Sequence, residues 1–190
     1  MGRNPVITTV SIMHLVQNLL RTPNRRIAVM AGLVFALDQL TKLIVLQLLG
    51  QGQERVILDG FFKFVHWGNT GAAWSMFRGN NELLAIVALL ALVVLFLARN
   101  HFDTRTWLGQ LAFGMILGGI AGNLTDRLLP SRHQVIDFIC FYLKRQGSEE
   151  IYFPAFNVAD SGICIGVALV FWLTWRSEPG VKATDTLTPP

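Results

Sequence analysis

The sequence predicts an α-helical integral membrane protein, with four transmembrane helices and a small β-sheet attached to them. Three observations carry that prediction. Of the 190 residues 52% are hydrophobic and 15% charged, and the mean hydropathy is +0.46; a soluble domain carries about 25% charged residues. The apolar residues are gathered into four runs, each approaching the roughly 20 residues needed to cross a bilayer core. Between the first two runs lies a polar, turn-rich stretch whose short apolar segments read as strands.

Residues 1–24 hold an apolar stretch, Val6 to Leu20, broken by His14, Gln17 and Asn18. It is short for a span and no small-x-small cleavage site follows it, so an N-terminal extension, interfacial or loose, is expected. The first span is Ile27 to Leu49, introduced by Arg25-Arg26 and carrying Asp38 and Lys42. Residues 50–81 follow, in which Val56-Ile57-Leu58 and Phe61 to Trp67 flank an Asp59-Gly60 turn. This pattern predicts a small sheet against the spans or at the membrane surface. The second span, Leu83 to Ala98, has no charge. The third, Trp107 to Thr125, is rich in glycine, as a helix packed closely on others would be. Residues 128–155 lead to the fourth, Ser161 to Trp175, extended backward toward Phe156. The domains expected are therefore an extension over 1–24, a membrane domain over 25–176 and a tail over 177–190.

The net charge of +4 and pI near 9.5 do not point to nucleic acid, because Lys and Arg are scattered with no basic run. Positive charge flanking apolar segments instead meets anionic headgroups. Four spans place both termini on one side. Eight Lys and Arg then fall on the terminal side (Arg3, Arg21, Arg25, Arg26, Arg99, Arg105, Arg176, Lys182). Seven fall opposite (Arg55, Lys63, Arg78, Arg127, Arg132, Lys144, Arg145), too close a count to set orientation. Arg25-Arg26 directly before the first span favours cytoplasmic termini. Cys140 and Cys164 form no C-x-x-C and read as small buried hydrophobes. His14, His66, His101 and His133 are spread over separate segments without H-E-x-x-H, so no zinc site is predicted.

An ionisable group at membrane depth costs about 2.5–3.5 kcal/mol or more, so each one calls for a reason. Asp38 and Lys42, spaced i, i+4, share a helix face and can pair; an internal ion pair that orients the helix competes with a direct chemical role. Asp126 and Arg127 end the third span. Asp126 could answer Lys42 or another cation. Arg127 offers a donor fork to a peptide, or simply snorkels at the helix end. Asp137, in Val-Ile-Asp-Phe-Ile, and Asp160, at the mouth of the fourth span, have no cation within four residues. Two acids brought together in a low-dielectric pocket share a proton: one serves as base toward water, the other donates to a scissile carbonyl. The alternative for Asp160 is a helix cap.

These residues resemble the bacterial lipoprotein signal peptidase family (signal peptidase II). The matching stretches occur in order: Asp38-Gln39-Leu40-Thr41-Lys42; Asn69-Thr70-Gly71-Ala72-Ala73-Trp74-Ser75; Gly118-Gly119 with Gly122-Asn123-Leu124-Thr125-Asp126-Arg127; Val135-Ile136-Asp137-Phe138; and Phe153 to Ser161. They cover residues 27–176. The resemblance implies Asp137 and Asp160 as the catalytic pair. It implies Asn69, Asn123, Arg127 and Asn157 as substrate-facing residues, with Asp38, Lys42 and Asp126 in support. It implies four spans, an extracytoplasmic sheet (the cradle) and a short extracytoplasmic helix before the fourth span. It further implies a multi-pass enzyme of the bacterial inner membrane, with cytoplasmic termini and its active site near the extracytoplasmic face. The substrate implied is a prolipoprotein, cut before a cysteine that carries diacylglycerol, with membrane lipids as surroundings and no metal or other cofactor. Two departures bear on the extracytoplasmic lid. His133 stands where the family has a glycine two residues before the Val, and the stretch from Lys144 to Glu150 is longer than usual.

Intramembrane Asp and Lys also mark ion paths, so a small transporter or proton channel competes. It predicts ionisable residues through the whole membrane depth, whereas Asp126, Asp137 and Asp160 lie near one end of their segments. An aspartyl protease of the presenilin or prepilin-peptidase type would carry G-x-G-D, and this sequence has none. For a structural membrane subunit, unpaired acids would be a needless cost.

Overall fold

The computed structural model describes residues 20–71, 79–102, 104–145 and 149–177. The expected extension up to residue 19, the tail from 178, and Ala72 to Ser75 of the second motif lie outside them.

Among the described residues four helices are long and apolar enough to cross a membrane. They are α1 (Pro23–Leu48), α2 (Asn81–Ala98), α3 (Trp107–Leu128) and α4 (Val158–Ser177). At 1.5 Å per residue the shortest, α2, is about 27 Å long, close to the ~30 Å of a hydrocarbon core. The protein is thus a multi-pass membrane protein. Thr22 caps α1 by accepting from the Arg25 N–H, with Pro23 in the first turn, where its missing N–H costs nothing. Thr106 caps α3 in the same way, accepting from Gly109 at 3.1 Å.

α3 is the central helix and the most buried of the four. Its glycines explain why. A Cβ at Gly118 would collide with the Ala31 carbonyl of α1, and one at Gly119 with the Ala159 carbonyl of α4. Two backbones therefore approach α3 closely from different sides, the packing that small residues permit where lipid supplies no hydrophobic drive between helices.

The strands β1 (Glu54–Leu58), β2 (Phe62–Asn69), β3 (Val135–Lys144) and β4 (Glu150–Tyr152) pair antiparallel in that order. The predicted turn is present: Gly60 has φ 74°, a left-handed conformation suited to glycine, and Phe61 donates to the Leu58 carbonyl at 3.0 Å. The sheet is seated on the helix ends by Val45, Ile136 and Phe138, with Phe64, Ile139 and Val158 packed against them. Lys63, on β2, reaches the other three strands. Its buried ammonium meets Glu54 at 2.8 Å and Glu150 at 3.0 Å and lies 4.6 Å from the ring centres of Tyr142 and Tyr152. Lys63, counted in the sequence as a flanking charge, is an internal fastener of the sheet.

One expectation is corrected. No helix forms among the described residues between α3 and α4. Their backbone groups are taken up by β3 and β4 and by Phe156, which exchanges N–H and carbonyl bonds with Ile139 at 3.1 and 2.9 Å. His133 has φ 53°, so the residue standing in the family's glycine position adopts a conformation that favours glycine. Its Nε2 lies 3.0 Å from Glu82 at the start of α2.

Candidate active site

The site is assembled where the C-terminal ends of α1 and α3 meet the N-terminal end of α4 and the strand β3. Asp38 and Lys42, one turn apart on α1, are both fully buried and 2.8 Å apart. The Lys42 ammonium has three protons and three partners: Asp38, Asp126 at 2.6 Å, and Oδ1 of Asn123 at 3.0 Å. Asp38 turns its other oxygen to the Ala159 N–H at 2.9 Å, satisfying a free donor at the start of α4. A Cβ at Gly122 would lie 2.5 Å from Asp38 Oδ2, so glycine is what allows this carboxylate against α3.

At the head of α4, Asn157 and Asp160 form a reciprocal cap. The Asp160 N–H donates to Asn157 Oδ1 at 2.9 Å, and the Asn157 N–H donates back to Asp160 Oδ2 at 3.1 Å. Asn-Val-Ala-Asp has the spacing of a capping box, with Asp in the place usual for Glu. The capping alternative for Asp160 is therefore part of its role. Its second oxygen, Oδ1, accepts from Asn123 Nδ2 at 2.7 Å. Capping and chemistry do not exclude one another.

Asp137 is carried by β3, 4% exposed. Asn157 Nδ2 donates to its Oδ1 at 2.8 Å and Asn69 Nδ2 to its Oδ2 at 3.0 Å. Asn69 reaches it because Trp67 is the cross-strand partner of Asp137, and residues two apart on a strand share a face. Burial pushes the Asp137 carboxyl up to about 7, and the nearby Asp160 charge acts in the same direction. Asn69, Lys42 and Asn157 pull the other way and lose. Asn157 thus touches both acids, one through its side chain and one through its backbone. A water held between two such carboxyls would find one proton acceptor and one proton donor.

Arg127, also buried, spends its fork inside the protein. One terminal nitrogen donates to the Gly71 carbonyl at 2.7 Å and the other to Asn81 Oδ1 at 3.0 Å, while Asn81 Nδ2 returns a bond to the Arg127 carbonyl at 3.2 Å. It therefore holds both ends of the segment between β2 and α2, and it is not a snorkelling arginine. Sequence reasoning missed Arg132 and Gln39. The Arg132 guanidinium pairs with Asp126 and donates to Gln39 Oε1 at 2.9 Å; Gln39 donates to Asp38 at 3.1 Å. A charge count would have signalled a second cation, because Asp38 and Asp126 together outnumber Lys42. Among the described residues no group of three or more His, Cys, Asp or Glu is placed to hold a metal ion.

Comparison with known proteins agrees on a single family. The family model described as signal peptidase (SPase) II matches residues 30–176. The chain is 38% identical over 161 residues to a lipoprotein signal peptidase of Nostoc punctiforme, covering 84% of this chain and 96% of that one. It is 36% identical over 143 residues to that of Symbiobacterium thermophilum, covering 75% and 90%. Two solved structures of a bacterial membrane enzyme, obtained by the in meso method, share the fold. The first, at 2.3 Å, has a TM-score of 0.62 and 29% identity, over 81% of this chain and 93% of the other. The second, at 1.9 Å, has a TM-score of 0.64 and 28% identity, over 78% and 92%.

Proposed function

The chain belongs to the signal peptidase II family, and from that premise we propose that it is an aspartyl endopeptidase that frees diacylglyceryl-modified prolipoproteins of their signal peptides by cutting before the lipidated cysteine. Membership of the family makes it a peptidase acting on prolipoprotein signal peptides. The aspartyl chemistry is our reading of the site. Its main support is Asn157, which joins two acids that would otherwise have no reason to share a buried corner.

In this reading Asp137 keeps its proton near neutral pH and donates a hydrogen bond to the scissile carbonyl oxygen. Asp160, ionised, accepts a proton from the water whose oxygen attacks the carbonyl carbon while Asp137 passes its proton to the carbonyl oxygen, giving a tetrahedral diol. The Asp160 proton then passes to the leaving nitrogen as the C–N bond breaks, a diol hydroxyl returns its proton to Asp137, and both carboxyls are back in their starting state. Asn69, Asn123 and Asn157 orient the acids and line the peptide's path. Asp38, Lys42 and Asp126 support them from below. The chemistry requires neither metal nor cofactor.

We place both termini in the cytoplasm of a bacterial cell and the acids near the extracytoplasmic face of its inner membrane. Arg25-Arg26 immediately before α1 supports that orientation. An acid pair at the membrane surface must receive its scissile bond at that depth. A diacylglyceryl group would hold it there, since each buried methylene adds about 0.8 kcal/mol of membrane affinity. The deciding experiment incubates purified protein with a prolipoprotein bearing either the lipidated or the unmodified cysteine. Release of the signal peptide from the lipidated form, with little from the other, is the expected result. Equal cleavage of both would leave a general intramembrane aspartyl protease as the better description.

A further inference from the structure

We infer that Arg132 is a positioning residue for the acid pair: it completes a charge-neutral buried cluster that holds Lys42, and through Lys42 the amide of Asn123, in line with Asp160. The inference rests on the aspartyl reading above.

Asp38, Lys42 and Asp126 are each 0% exposed, and the Arg132 side chain is only 7% exposed. Two carboxylates and one ammonium would leave a net negative charge in a region that water does not reach, which is costly unless balanced. Arg132, from the connection between α3 and β3, supplies the fourth charge and pairs with Asp126 Oδ1. The other oxygen, Oδ2, is then left to Lys42 at 2.6 Å.

A short chain of contacts leads from there to the acids. Lys42 donates to Asn123 Oδ1 at 3.0 Å, which leaves Asn123 Nδ2 facing Asp160 Oδ1 at 2.7 Å. An asparagine amide carries an acceptor at one end and donors at the other, so whichever group holds the oxygen decides where the N–H bonds point. Without Arg132, Asp126 has one cation where it had two. Lys42 is drawn toward it and away from Asn123, whose oxygen is then held only by Asn157 Nδ2 at 3.2 Å, and the amide is less firmly fixed against Asp160. Gln39 ties the same cluster together, accepting from Arg132 at 2.9 Å and donating to Asp38 at 3.1 Å and to the Gly122 carbonyl at 3.1 Å.

The test uses the full chain in detergent and a diacylglyceryl-modified prolipoprotein. Arg132→Gln is expected to lower kcat about tenfold while KM stays within about threefold, because the acids are misplaced and the peptide's path is not. Arg132→Lys, which keeps the charge, is expected to retain most of the turnover. Melting temperatures provide a readout independent of activity: Arg132→Gln and Asp126→Asn should each destabilise, and the double variant should melt well above the sum of the two effects, since it restores neutrality. Wild-type turnover in Arg132→Gln, a loss shared equally by Arg132→Lys, or additive melting shifts would each overturn the inference while leaving the aspartyl reading intact. A wild-type protein that leaves the prolipoprotein uncut would overturn that reading and this inference with it.

Discussion

Asn69, the last residue of β2, donates from Nδ2 to Oδ2 of Asp137 at 3.0 Å. The bond favours the ionised carboxyl and so opposes the burial that holds Asp137 protonated up to about pH 7. Removing it leaves burial less opposed. In Asn69→Ala the alkaline limb of the kcat profile, where Asp137 loses its proton, is therefore expected to move upward from about 7. A limb that stays in place or moves down would show that Asp137 is not the group that titrates there.

Asp137→Asn and Asp160→Asn are each expected to abolish cleavage while the protein still inserts and folds, since an amide can neither accept the water proton nor give one up. Near-normal turnover in either variant would remove the acid pair from the mechanism.

Asp137→Asn also has a stability signature. The folded protein holds the Asp137 proton more tightly than an unfolded chain, whose aspartates ionise near 3.8. The stabilisation from that tighter hold is full below 3.8 and is lost as pH rises through about 7. The amide cannot ionise and escapes the loss. Relative to wild type, the melting temperature of Asp137→Asn should therefore rise between about pH 4 and pH 7 and then level off. A constant difference across that window would contradict a buried, protonated Asp137.

Arg127 reaches Gly71 and Asn81 with two different nitrogens at 2.7 and 3.0 Å. A lysine has one nitrogen and cannot span both acceptors. Arg127→Lys should keep the charge and still lose about tenfold or more in kcat/KM, because the bidentate hold is gone. Unchanged kinetics would reduce Arg127 to a helix-end charge.

Cleavage should also survive excess chelator, because the proposed nucleophile is activated by a carboxylate. Loss of activity in EDTA, restored by zinc, would replace that mechanism with a metal-assisted one.

The spans were legible in the sequence because lipid demands long uncharged apolar runs, a property of consecutive residues. The predicted second span, Leu83 to Ala98, differs from α2 by two residues at its start. The β1–β2 hairpin could be read from its Asp59-Gly60 turn, and the Asp38–Lys42 pair from one turn of helix. What local spacing cannot give is which distant groups converge. Lys42 answers Asp126 as well as Asp38, 84 residues along the chain, only because glycines at 118, 119 and 122 let α1 and α4 approach α3 closely. The helix expected before the fourth span gave way to strands because Phe156 and β4 found partners on β3. Asp160 read as either a cap or an acid, and tertiary structure made it both, since its two oxygens face different neighbours. Arg132 had no mark in the sequence beyond its charge. Only folding brought it to Asp126, because a buried carboxylate takes whatever cation the packing delivers to it.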